Sequence, residues 1–158
     1  MIYFAYDITM DEHELRRPGL APGAVIAGSG WLAHRKLVFS GEGGKCPVAV
    51  PSYGDRVFGV LSFISAPEEI AALMTARAPL PRRVTRVRTL PHNRIVFAVT
   101  FEAAPGMLIP EGPALPAYRD RMIEIARRYG FPEEYISRIA SIPSPEGFPP
   151  AGNDGGVS

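Results

Sequence analysis

The chain of 158 residues is long enough for one domain with its own core, and a hydrophobic content of 46% predicts a folded globular state. A formal net charge of +1 gives no general attraction to nucleic acid or membrane, and no stretch approaches the roughly 20 apolar residues of a membrane-spanning helix. The single cysteine, Cys46, excludes an internal disulfide. With no basic-then-apolar leader pattern at the N-terminus, a cytoplasmic location is the expectation.

Residues 2–6 predict an apolar first strand that runs into polar Asp7 and Thr9. Asp11 and Glu14 have capping-box spacing, which predicts a turn of helix near Asp11. Ala24–Ala27 and Trp31–Phe39 read as separate strands with Gly28-Ser29-Gly30 between them. After a glycine-rich turn at 41–46, Pro47–Pro51 reads as a short edge strand. Tyr53-Gly54-Asp55 then reads as a turn ahead of a buried strand, Arg56–Ile64. Ser65 and Glu68 form a second capping box, and the helix they open carries Ile70, Leu73 and Met74 on one face until Pro79 and Pro81 end it. Strands follow near Arg83–Leu90 and Arg94–Glu102, with His92-Asn93 as the hairpin turn. Ala117–Tyr129 is the clearest helix, with Tyr118, Met122, Ile125, Ala126 and Tyr129 on one stripe. Gly130 stops it, and Pro132 starts a last helix with Glu133 and Glu134 in its first turn. Residues 141–158 are rich in Pro, Gly and Ser and predict a flexible tail, leaving 1–140 as a single domain. The sum is an α+β chain: a small mixed or antiparallel β-barrel with two or three peripheral helices.

Other motifs carry less. His13, His34 and His92 have no ligand spacing, so no metal is expected. Gly41–Cys46 fails as a phosphate loop, because Phe39 stands for the first glycine and Cys46 for the Ser/Thr. Cys46 beside Lys45 reads as a passive thiol. Arg82, Arg83, Arg86 and Arg88 form a basic run, and alternation puts Arg82, Arg86 and Arg88 on one strand face. That face reads as a phosphate or nucleic-acid patch, or as a solvated or guarded edge; the near-zero net charge favours the second.

Met1–Met10 resembles the opening of the gamma-glutamylcyclotransferase (AIG2-like) family, whose first strand ends in Tyr-Gly-Ser-Asn. Here that slot reads Tyr6-Asp7-Ile8-Thr9. Trp31–Phe39, Gly54–Leu61, Tyr118 within Pro113–Ile123, and Gly130-Phe131-Pro132-Glu133-Glu134-Tyr135 are similar to further segments of that family. The resemblance implies a barrel whose mouth holds a gamma-glutamyl group through backbone amides of the loop. A Glu after the central helix moves protons while the α-amine attacks the γ-carbonyl, releasing 5-oxoproline without metal or cofactor. Counting to that Glu position from Leu73 reaches Arg77, which stays protonated and is no general base. Asp7 is therefore the candidate acid/base and Glu69 a second stand-in. Tyr6, Asp7, Ile8, Thr9, Arg77 and Tyr118 are the candidate binding set for a small amide or carboxylate ligand. Asp7 also reads as a turn former, and Arg77 as a helix-end cation. The expectation is a divergent lyase or acyl-transfer enzyme with altered proton chemistry, a monomer or homodimer. The alternatives are a non-catalytic member binding a small ligand or a protein, and nucleic-acid contact through Arg82–Arg88.

Overall fold

The computed structural model describes residues 1–145. Five strands form the barrel: β1 (Ile2–Ala5), β2 (Val25–Ser40), β3 (Cys46–Phe63), β4 (Arg82–Leu90) and β5 (Ile95–Phe101). Among the described residues, four α-helices accompany them: α1 (Glu12–Leu15), α2 (Pro67–Arg77), α3 (Pro116–Arg128) and α4 (Glu133–Ala140). The strand order is β1-β3-β2-β4-β5, closed by a parallel contact of Tyr3 with Val99. All other strand pairs are antiparallel. The α+β barrel read from the sequence is therefore present.

Alternation along β1 explains its two-sided burial. Phe4 joins Leu32, Val57, Leu61, Val87 and Ala98 in a cluster drawn from all five strands and no helix, which is the barrel interior. Tyr3 and Ala5 point the other way, into a larger cluster with Leu73, Met122, Ile125 and Ile136 of the helices. Each such fully buried large side chain contributes about 1.5–3 kcal/mol.

Two readings of the strands are corrected. Gly28-Ser29-Gly30 is not a break between strands; β2 runs through it, with a register shift between Ile26 and Gly28. Glycine is needed here because a Cβ on Gly30 would lie 2.5 Å from the Arg88 carbonyl oxygen. Its cross-strand partner Gly59 is tighter still, 2.2 Å from the Ala5 carbonyl oxygen. These residues mark close strand approach, not a turn. Likewise Pro47–Pro51 and Arg56–Phe63 belong to one long β3 that runs through the expected turn at Tyr53-Gly54-Asp55 and ends just before Ile64, so β2 and β3 form an extended hairpin arm.

Neither capping box forms. Asp11 precedes α1 without a side-chain cap bond; its carboxylate instead accepts from Arg128 at 2.9 Å and from Arg121. α2 begins at Pro67 after Ala66, again without a side-chain cap. The start of the expected tail is tied down: Ile142 O accepts from Arg119, and Pro143 O accepts from Ala114 N at 2.8 Å. The rest of it, 146–158, lies outside the described residues. Among the described residues, no helix is long and apolar enough to cross a membrane.

Candidate functional site

β1 delivers Tyr6 and Asp7 to one end of the barrel, where the chain turns into a short 3-10 helix, Ile8–Met10. Asp7 caps it: Oδ1 accepts from Thr9 N at 3.0 Å and also from the Thr9 hydroxyl. Its other oxygen, Oδ2, accepts from Arg77 Nη1 at 2.8 Å. Arg77 is the last residue of α2 and reaches back over the loop. Its Nη2 donates to the Tyr6 hydroxyl and to Pro47 O, both at 3.1 Å. The guanidinium also sits 5.3 Å from the centroid of the Tyr6 ring. The Tyr6 hydroxyl donates onward to Phe101 O.

Tyr118, projecting from the first turn of α3, closes the other side of the loop. Its hydroxyl oxygen receives Ile8 N–H at 3.5 Å, and its ring meets Phe39 edge-on at 6.0 Å. Tyr3 completes the set through a contact of its hydroxyl with Thr9 Oγ1 at 3.3 Å. Tyr6, Asp7, Ile8, Thr9, Arg77 and Tyr118 thus come together from three elements far apart in sequence. Glu69 does not join them. It is buried, and its Oε1 accepts from Gly23 N at 2.7 Å, tying α2 to the loop before β2. Sequence pattern does not single out Tyr3. Its place on the strand face opposite Phe4 marks it as ordinary core, and only the fold of the loop brings Thr9 to it.

The electrostatics are those of a dry, paired site. The Arg77 and Asp7 side chains are 9% and 6% exposed. Burial disfavours the Arg77 charge, but the adjacent Asp7 carboxylate and the surrounding hydroxyls outweigh it, and the guanidinium is held protonated well above its ordinary value. Burial raises the phenols of Tyr3, Tyr6 and Tyr118, helped in each by the Asp7 charge, so all three stay neutral. The corner expected from the sequence to be a recess is packed with side chains. Both oxygens of Asp7 are engaged, Oδ1 by Thr9 and Oδ2 by Arg77. The Ile8 and Thr9 amides are met by Tyr118 and Asp7. A recess of about 930 Å³ exists elsewhere, between α1 and the end of α3, with His13, Arg17, Arg128 and Tyr129 among its lining residues. Among the described residues, no group of His, Cys, Asp and Glu is arranged to hold a metal ion.

The fold matches solved structures. A gamma-glutamyl cyclotransferase superposes with a TM-score of 0.74 at 20% identity, covering 100% of this chain and 93% of that one. An uncharacterized protein from Homo sapiens gives 0.72 at 21% identity, over 99% and 92%. An AIG2-like protein from Mus musculus gives 0.54 at 19% identity, over 70% and 84%. No family model and no curated protein matches the sequence. The chain has the gamma-glutamylcyclotransferase-like fold; identities this low establish fold and not chemistry.

Proposed function

We propose that this protein is a non-catalytic binding member of the gamma-glutamylcyclotransferase-like fold. The observation that carries the reading is the Asp7–Arg77 ion pair, 2.8 Å long and buried at the barrel mouth. Cyclisation of a gamma-glutamyl group needs an acceptor for the amine proton. The group at the position the resemblance assigns to that acceptor is a protonated guanidinium, and the neighbouring carboxylate is bonded at both oxygens. A substrate carboxylate would also have to displace Asp7, which already occupies the guanidinium and the Thr9 amide. The test is to offer gamma-glutamyl amines and dipeptides and follow 5-oxoproline by chromatography. No release is expected from the wild type. Turnover by the wild type that disappears in Asp7→Asn would overturn the reading and make Asp7 the acid/base.

A second reading, a receptor for a small carboxylate, is favoured by one feature. Arg77 meets Asp7 through Nη1 alone, while Nη2 is held by Tyr6 and Pro47, so loss of the Asp7 charge would leave Nη1 as a positioned donor for a small carboxylate. In that case Asp7→Asn should bind 5-oxoproline or glutamate more tightly than the wild type by calorimetry. Equal absence of binding in both proteins sets it aside.

A further inference from the structure

β2 and β4 meet only at Ser29↔Leu90, Gly30↔Thr89 and Trp31↔Arg88. Beyond Trp31, a register shift between Ala33 and Arg35, with His34 at φ 56°, carries β2 away with β3. Among the described residues, Arg82–Val87 of β4 therefore pair with β5 alone, and their other edge is open. A recess of about 490 Å³ lies along it, lined among others by Ala33, His34, Val84, Arg86, Ile95 and Phe97. Three of these are exposed apolar residues: Val84 at 67%, Phe97 at 64% and Ile95 at 50%. Around them stand Arg56, Arg82, Arg86 and Arg88, none of which pairs with a carboxylate among the described residues. By contrast Arg83, on the opposite strand face, is bonded to Glu102 at 3.1 Å. In a chain of net charge only +1, four arginines without a carboxylate partner among the described residues stand beside one apolar sheet edge.

We propose that this edge docks an extended, acidic segment of another protein by strand addition. Backbone groups of Arg82–Val87 supply the ladder, Val84 and Phe97 the apolar contacts, and Arg82, Arg86 and Arg88 the charge complementarity. A second copy fits poorly, because β4 against β4 sets arginine against arginine. Nucleic acid fits less well than an acidic peptide. The centre of the patch carries aliphatic Val84 and Ile95, and the Arg56 and Arg88 guanidinium groups already lie 4.2 and 5.7 Å from the Trp31 ring centroid, which leaves Phe97 as the patch's exposed aromatic ring for a base to stack on.

The probe is a synthetic peptide of about six residues, alternating valine with glutamate. Controls are the same peptide with lysine for glutamate, an oligothymidine, and phosphatidylserine vesicles. Trp31, the single tryptophan, reports binding by fluorescence, and amide hydrogen exchange reports the ladder. The glutamate peptide should bind, slow exchange at residues 82–87, and lose about tenfold in affinity in Arg86→Glu and in Phe97→Ser, both at exposed positions. Absence of binding, equal binding of the lysine peptide, protection elsewhere, or preference for oligothymidine or vesicles overturns the proposal. Release of 5-oxoproline by the wild type would defeat the non-catalytic reading and leave this one standing, since it rests on the β4 edge alone.

Discussion

Replacing Arg77 by methionine isolates what the mouth pair does. The stem keeps much of its packing, and three donated bonds are lost: to Asp7 Oδ2 at 2.8 Å, and to the Tyr6 hydroxyl and Pro47 O at 3.1 Å. Asp7 stays buried, bonded only within its own turn to Thr9. Removing one partner of a buried pair typically destabilises by about 3–5 kcal/mol, because the remaining charge is neither hydrated nor compensated. For a chain of this size each kcal/mol shifts Tm by about 2–4 °C, so a fall of roughly 6–20 °C is expected. Urea unfolding followed by circular dichroism gives the free energy directly. Adding Asp7→Asn to Arg77→Met should recover some of the loss, since the buried charge is then gone, and the two effects should fall well short of additive. A loss under about 1 kcal/mol, the worth of a solvated pair, would refute the reasoning. It would mean that the mouth is wet and open in solution.

Three further outcomes follow from other regions of the barrel. Gly59→Ala places a Cβ 2.2 Å from the Ala5 carbonyl oxygen and 2.6 Å from the Phe4 ring, so it should cost at least about 3 kcal/mol by urea unfolding or abolish soluble expression. Glu102, 1% exposed, faces Arg35 at 2.8 Å and Arg83 at 3.1 Å; Glu102→Gln should destabilise by about 2–4 kcal/mol and Arg83→Ala by less, because Arg35 remains. Tyr3, Tyr6, Tyr118 and Tyr135 have phenols raised by burial, while unfolded tyrosines ionise near pH 10. Their contribution is therefore full below about pH 10 and is lost as pH rises above it. Phenolate absorbance from these four should appear together with loss of circular dichroism; ionisation within a still-native spectrum would refute their burial.

Periodicity carried the fold a long way. The alternation of β1, most of the apolar run Arg56–Ile64 and the stripe on α3 place side chains where the structure buries them, but Phe63, expected inside, is 52% exposed. Gly28-Ser29-Gly30 and Gly54 misled, because a glycine within a strand looks like one that permits a turn; Gly30 allows close strand contact and Gly54, at φ 83°, lies within β3, whereas Gly59 lies inside an expected strand. Capping boxes misled for a different reason. Asp11 had stronger partners in Arg121 and Arg128, more than a hundred residues away, and no local pattern announces such a contact. At the candidate site, the structure brings Tyr6–Thr9, Arg77 and Tyr118 together at one end of the barrel. What spacing did not disclose was that Asp7 and Arg77 satisfy each other.

That mutual satisfaction couples two departures from the resembled pattern energetically. Where the pattern has glycine and glutamate, this chain has Asp7 and Arg77. Neither change is comfortable alone: Asp7→Gly strands a buried guanidinium, and Arg77→Glu sets two carboxylates together in a dry corner. The stability order expected by urea unfolding places the double variant Asp7→Gly/Arg77→Glu above Arg77→Glu alone, with a difference of about 2 kcal/mol or more. The double variant also restores a carboxylate at the pattern's proton-carrier position and frees the Thr9 amide. Acquisition of 5-oxoproline release by that variant would show that the pair alone stands between this barrel and the chemistry that the sequence resemblance implies. Persistent inactivity in a well-folded double variant would show that removing the pair is not sufficient, with Ile8 and Thr9 as the remaining loop departures from the resembled pattern.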